Sequence, residues 1–233
     1  MFTAFVSFAQ QDAQFTQYMY NTININPAYA GSRGALSISG SLLYREQWVG
    51  LEGAPVTNTV SMNTPLNSSN LGLGISLIND KIGPTHENTI SADISYTVPT
   101  SETYKLSFGV KATANLFDLD ESRLTPAQAG DPSLQNYNTF SPNIGAGVYL
   151  HSDKAYVGLS IPNFIETNRY DDNEVAIFKE KINYYLIAGY VFDFTDSIKF
   201  KPAFLSKMTE GAPLQIDVSG NFMINEKFVI GVA

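Results

Sequence analysis

Thr89-Ile90-Ser91-Ala92-Asp93-Ile94-Ser95-Tyr96-Thr97-Val98, residues 89–98, alternates without a break. Ile90, Ala92, Ile94, Tyr96 and Val98 share one phase, and Thr89, Ser91, Asp93, Ser95 and Thr97 share the other. A strand sends successive side chains to opposite faces, so this stretch presents one greasy face and one small polar face. Its period is 2, not the 3.6 of an amphipathic helix.

The same period recurs on both sides of this stretch. Before it come residues 36–45, 56–62 and 71–77; after it come 105–114, 143–150, 155–161, 182–194, 198–207 and 214–222, and a last run begins at Lys227. That makes about eleven strands, many near the roughly 9–11 residues that cross a bilayer at a tilt. Composition fits this pattern. Hydrophobic residues make up 44% of the 233, and charged residues only 15%, against roughly 25% in a typical soluble domain. Lys and Arg total 14 and Asp and Glu 22, a net charge of −8. An acidic chain without a basic patch argues against a nucleic-acid partner. The absence of Cys excludes disulfides, thiolate metal sites and a Cys nucleophile. Mean hydropathy is −0.07, and no run of 18 apolar residues could form a transmembrane helix.

The connections sort by length. Long or polar segments, about 46–54, 79–88, 117–141 and 162–180, alternate with tight joins at 67–70, 100–103, 152–153, 195–197 and 225–226; the 209–213 join is intermediate. A closed outer-membrane barrel does this, with short periplasmic turns and longer outer loops. A secreted β-sandwich is the competing fold. Its outer face would be rich in Lys and Glu, whereas the polar phase here is mostly Ser, Thr, Gly and Asn. Aromatic residues also gather near predicted strand ends, at Tyr44, Trp48, Tyr96, Tyr104, Phe117, Tyr184 and Phe194, as in an interfacial belt. The expected fold is therefore all-β, a transmembrane antiparallel up-and-down β-barrel of the outer-membrane type. Such barrels have even strand numbers, so a full-length chain should carry about 12–14. On this reading Ile94→Arg or Val110→Arg faces lipid and costs about 2–4 kcal/mol, while Ser95→Arg or Thr113→Arg faces the lumen and costs far less.

Three regions are expected. Residues 1–9 read as the remnant of a signal peptide, with Ser7-Phe8-Ala9 as a small-x-small cleavage site; a short buried strand is the alternative. Residues 10–32 form an N-terminal periplasmic segment leading into the barrel. Residues 33–233 form the barrel, and the apolar run Phe228–Ala233 suggests C-terminal truncation. Odd strands end in long loops, which places the N-terminus in the periplasm. The loops 117–141 and 162–180 are the candidates for filling the lumen.

Chemical motifs are sparse. His86 and His151 lie beside turns or loops, and no G-x-S-x-G elbow accompanies them. The acidic groups Asp118, Asp120, Glu121 and Asp171, Asp172, Glu174 lack EF-hand spacing. Gly145-Ala146-Gly147 lacks the third glycine of a dinucleotide fingerprint. No catalytic residue, cofactor or metal site is expected.

Three segments carry a resemblance. Residues 17–31 contain Asn26-Pro27-Ala28-Tyr29-Ala30-Gly31; residues 45–55 contain Arg45, Gln47, Trp48, Gly53 and Pro55; residues 71–84 end in Asn79-Asp80-Lys81-Ile82-Gly83-Pro84. In this order they resemble the PorP/SprF family, outer-membrane proteins of the type IX secretion and gliding machinery. The resemblance implies a barrel that is not an enzyme. It implies partners as well: a large adhesin-like surface protein with a C-terminal sorting domain, periplasmic type IX components, and outer-membrane lipid. Asn26, Pro27, Ala28, Gly31, Arg45, Gln47, Trp48, Gly53, Pro55, Asn79, Asp80, Gly83 and Pro84 carry over as motif positions and candidate partner contacts. Most have a structural reading. Pro27 and Gly31 would shape the approach to the first strand, Pro55 would open the second, and Gly83-Pro84 would make a turn. Arg45, on the luminal phase near the outer end, and Trp48 are the open cases. A general porin-like channel for small solutes is the competing function.

Overall fold

The computed structural model describes residues 18, 20–33, 38–66, 70–120, 137–166, 168–169, 178–179 and 181–233. Residues 1–9, read as a signal remnant, lie outside them. The strands are β1 (Ser39–Glu46), β2 (Val56–Pro65), β3 (Leu71–Ile82), β4 (Thr85–Pro99), β5 (Lys105–Leu119), β6 (Tyr137–His151) and β7 (Ala155–Ile161). The two-residue pieces β8 (Asn168–Arg169) and β9 (Phe178–Lys179) pair with each other, and β10 (Asn183–Tyr190), β11 (Phe192–Thr195), β12 (Ile198–Thr209), β13 (Gln215–Ile224) and β14 (Phe228–Val232) follow. All but β8 and β9 form one 12-stranded antiparallel sheet in chain order.

The count differs from the sequence reading for a local reason. β10 and β11 both pair with β12, and their break falls at Val191, whose N–H donates instead to the Lys154 carbonyl at 2.7 Å. They are one crossing interrupted once, so the sheet crosses about eleven times, as the alternation predicts. The long connection expected at 79–88 is absent. β3 and β4 pair out to Ile82 and Thr85, and only Gly83-Pro84 turns the chain. Polar residues there face an aqueous rim and still fill ladder positions. β4, β5 and β6 each have 15 residues. At roughly 3.4 Å per residue and a tilt of about 45°, they cover roughly 35 Å along the membrane normal.

Burial is inverted relative to a water-soluble domain. Ile94 is 48% exposed and Val110 55%, while Ser95 is 2% exposed and Thr59 0%. On β2 to β6 the apolar phase points away from the protein and the small polar phase is buried, while β10 and β12 also turn Ile187, Ala203 and Leu205 inward. No helix among the described residues is long and apolar enough to cross a membrane. This is the patterning of a β-barrel in lipid, where the outer face meets hydrocarbon. β1 pairs with β2 and β14 with β13, and the two do not pair with each other, so this barrel-like sheet is not closed.

The polar phase is buried because Tyr18 and residues 20–33 lie against it. They hydrogen-bond to β2, β4, β5, β6 and β7, and Tyr18 reaches Ser219 of β13. Strands at about 4.8 Å spacing would put β2 and β13 some tens of ångströms apart if flat. One short segment therefore touches both only because the sheet curls around it. Tyr18, Ile25 and Ala28 join Tyr149, Ile187, Ala203 and Leu205 in the hydrophobic core, which sits inside the curl.

Two expectations change with this finding. Phe117 is 8% exposed and belongs to the luminal row, not to an aromatic belt. Ser95→Arg will not be mild, since Ser95 Oγ donates to the Ala30 carbonyl at 2.6 Å beneath the segment. The lipid-face expectation stands. Ile94→Arg should cost about 2–4 kcal/mol at mid-bilayer depth, read as a shift of the urea unfolding midpoint in lipid vesicles. An unchanged midpoint would mean that Ile94 does not face hydrocarbon.

Candidate functional site

Two features position the motif residues: the segment that fills the curl, hereafter the plug, and the rim at the long-loop end.

The plug is built by its own sequence. Thr22–Ile25 make one α-turn and Pro27–Tyr29 one 3₁₀ turn, with Asn26 between them. A residue before proline is pushed to extended backbone, and Asn26 has φ −131° and ψ 110°. Pro27 then opens the 3₁₀ turn, where a missing N–H costs nothing. The Asn26 side chain is fully buried and does two jobs. Its Oδ1 accepts from the Ala28 N–H at 3.0 Å, and its Nδ2 donates to the Val148 carbonyl of β6 at 3.0 Å.

The barrel wall supplies the remaining partners. Short turns leave carbonyls unpaired at their ends. Lys111 Nζ donates to the Ile23 carbonyl at 3.1 Å, and Ser160 Oγ to the Ile25 carbonyl at 2.9 Å. The Asn63 Oδ1 accepts from the Gly31 N–H at 3.3 Å, and Ser61 Oγ donates to Asn21 Oδ1 at 3.0 Å. Wall glycines let the plug come close. A Cβ on Gly109 would overlap the backbone of Pro27 and Ala28, one on Gly147 the Asn26 amide, and one on Gly72 the Ala30 carbonyl. These wall glycines are therefore the floor on which the Asn-Pro-Ala-Tyr-Ala-Gly segment rests. Below Ile23, Lys111 pairs with Asp93 directly across from it, Nζ to Oδ1 3.1 Å, with side chains 3% and 0% exposed.

The rim gathers the other two motif segments. Arg45, Thr57, Asp80 and Glu87 are cross-strand neighbours on β1 to β4 and form one luminal row. The Thr57 hydroxyl donates to Asp80, the Asn115 amide donates to Glu87, and the Arg45 charge acts on Asp80. The loop after β1 is closed at its neck by the Gln47 N–H on the Pro55 carbonyl at 3.0 Å, and it leans on the next turn through the Gly83 N–H on the Gly53 carbonyl at 2.9 Å. Gly53, at φ 79°, can take this shape because it has no side chain. Pro84 is tied in as well, its carbonyl accepting from Asp120 N at 3.0 Å.

On the outward phase, Asn58, Asn79 and Asn88 bond in series across β2, β3 and β4, 3.4 and 2.8 Å, beside Tyr44. An outward ladder of asparagines does not suit hydrocarbon, so the lipid belt ends at this row. Trp48 lies beyond it, 70% exposed and at φ 52°, a backbone region unusual for so bulky a residue. The structure thus joins Arg45, Gln47, Gly53, Pro55, Asp80, Gly83 and Pro84 at one rim, and sends Asn26, Pro27, Ala28 and Gly31 into the lumen.

The family model for the type IX secretion system membrane protein PorP/SprF matches residues 7–233, essentially the whole chain. The chain belongs to the PorP/SprF family. No curated protein and no solved structure matches it. As a PorP/SprF protein it is a membrane component of the type IX secretion system. Its family, its β-rich fold and its inverted burial are consistent with the outer membrane. The sequence reading missed the plug. The signal was there, in glycines spaced along the polar phase of neighbouring strands, but only register shows that they meet one segment.

Proposed function

We propose that this PorP/SprF protein is an accessory barrel of the type IX secretion and gliding machinery. It binds, exports or anchors a large adhesin-like surface protein, recognised by its C-terminal sorting domain, at the long-loop rim. Periplasmic machinery meets the short-turn end, with the N-terminus on that side. One observation supports this reading: the inside of the curl is occupied by the chain's own residues 20–33, hydrogen-bonded to five strands. A diffusion channel for small solutes has no use for such a plug, whereas a holder of a large protein needs a rigid mouth and no leak. Pulled from native outer membranes, the intact protein should bring a large surface protein or a periplasmic machinery component with it. Recovery of the barrel alone, together with porin-like single-channel currents, would favour the solute channel.

Trp48 is the rim residue with the most exposed area to offer, and exposed Trp is the residue type that most often anchors interfaces. Trp48→Ala should leave barrel stability within about 0.5 kcal/mol, because the side chain is mostly exposed. Retention of the surface protein should fall roughly thirtyfold, the equivalent of about 2 kcal/mol. Undiminished retention in the same pull-down would remove Trp48 from the client surface.

A further inference from the structure

We infer that the cavity between the plug and the rim is a binding site for a primary carboxamide, the end of a glutamine or asparagine side chain on a partner peptide. The cavity measures about 100 Å³, room for roughly three waters or for the end of one side chain. Its lining runs from Asn24 of the plug, past Ser76 of β3 and Asn115 of β5, to Asp80 and Glu87 of the rim row.

The charged groups of the lining are already committed. The Thr57 hydroxyl donates to Asp80, and the Asn115 amide donates to Glu87. Lys111 pairs with Asp93 and donates to the Ile23 carbonyl. What stays open is uncharged. Asn24 is 8% exposed, and neither its Nδ2 nor its Oδ1 has a hydrogen-bond partner among the described residues. Ser76 is 1% exposed with its Oγ open, and Asn115 Oδ1 is buried and open as well. Buried polar atoms without partners are costly, and here the plug and two strands bring theirs to one cavity.

Counting donors and acceptors selects the group. The open oxygens of Asn24 and Asn115 each require a hydrogen, the open Asn24 Nδ2 requires an acceptor, and the Ser76 hydroxyl serves either way. Both ends of the Asn24 amide are open, so the count holds whichever way it is turned. A carboxylate has no hydrogen for the two oxygens, and an ammonium has no acceptor for the amide nitrogen. A backbone peptide unit has only one N–H. A primary carboxamide has two N–H donors and one carbonyl, which meets every requirement. Asn24 stands on the plug and Ser76 and Asn115 on the wall, so a bound amide touches both. The match depends on neither the identity of a rim partner nor the side of the membrane that the rim faces.

Propionamide is the probe, offered to the full chain folded in amide-free detergent micelles, with heat-modifiable gel mobility as the check on folding. Its saturation-transfer NMR signal should saturate with a Kd on the order of 1 mM, within the efficiency ceiling for so small a ligand. Propionate, propylammonium, N-methylacetamide and 1-propanol should each bind at least about tenfold more weakly. Asn24→Leu should fold as well as the parent, because the lost amide makes no bond, and should weaken propionamide about tenfold. Ser76→Ala should weaken it several-fold. Absence of saturable propionamide binding, or binding that both variants leave intact, overturns the site and leaves a solvated cavity. Loss of heat-modifiable mobility in Asn24→Leu overturns it too, since the amide would then be holding the fold. Equal binding of N-methylacetamide overturns the side-chain assignment in favour of backbone, and equal binding of 1-propanol overturns the amide in favour of a hydroxyl.

Discussion

Gly109→Val will unseat the plug while leaving the wall folded. Gly109 is buried in β5 opposite Gly147 of β6, and its backbone is ordinary strand. Valine suits that backbone better than glycine does, so the substitution should strengthen the strand taken alone. The added carbons would fall on the Pro27–Ala28 backbone, which has no rotamer to yield. Forcing extra methyl groups into a packed site costs typically about 1–3 kcal/mol, and a plug that lifts also gives up its bonds to Val148, Lys111, Ser160 and Ser95. A loss of about 3 kcal/mol raises the open population roughly hundredfold.

The chain has no Cys, so one engineered thiol reports without background. Ser76 is 1% exposed near the plug and its hydroxyl makes no hydrogen bond among the described residues, so Ser76→Cys breaks none of the bonds described. Maleimide should label Ser76→Cys slowly, and about a hundred times faster when Gly109→Val is added, with heat-modifiable mobility retained in both. Equal rates would mean either that the plug does not occupy the lumen or that it can shift aside at no cost.

This variant also marks the limit of what periodicity reveals. The strands were legible because each carries its own evidence: Ile90–Val98 alternates whatever it pairs with. Face assignment was legible for the same reason, and Ile94 and Ser95 differ as the alternation demands. The plug was not. Asn26-Pro27 announces a turn, and nothing within residues 18–33 says that the turn lies under Gly109 and Gly147, more than eighty positions away in the chain. The 79–88 segment failed in the opposite sense. Its polar residues suggested a loop because loops are polar, but a strand that extends past the lipid belt is polar too, as Asn58, Asn79 and Asn88 show. At the rim, sequence marked the residues Arg45, Asp80 and Gly53 without showing that a single cross-strand row and one carbonyl contact bring them together.

Lys111 is where the wall and the plug depend on the same charge. Its ammonium pairs with Asp93 Oδ1 at 3.1 Å and donates to the Ile23 carbonyl at 3.1 Å, with both side chains essentially out of solvent. Neither Asp93 oxygen has a hydrogen-bond partner among the described residues, so the carboxylate relies on the charge of Lys111. Removing one member of a buried pair leaves the other uncompensated and typically costs about 3–5 kcal/mol, whereas replacing both with apolar groups is often close to neutral. Lys111→Met should therefore destabilise the barrel by about that amount, read from urea unfolding in lipid vesicles. Adding Asp93→Leu should recover most of the loss, leaving about 1–3 kcal/mol for the orphaned Ile23 carbonyl. The remainder falls on the plug and not on the wall. In the double variant the Ser76→Cys thiol should label faster even though most of the unfolding midpoint has been regained. A double variant as unstable as the single would show that Asp93 and Lys111 do not act as a pair. A recovered midpoint with an unchanged labelling rate would show that the ammonium does not hold Ile23.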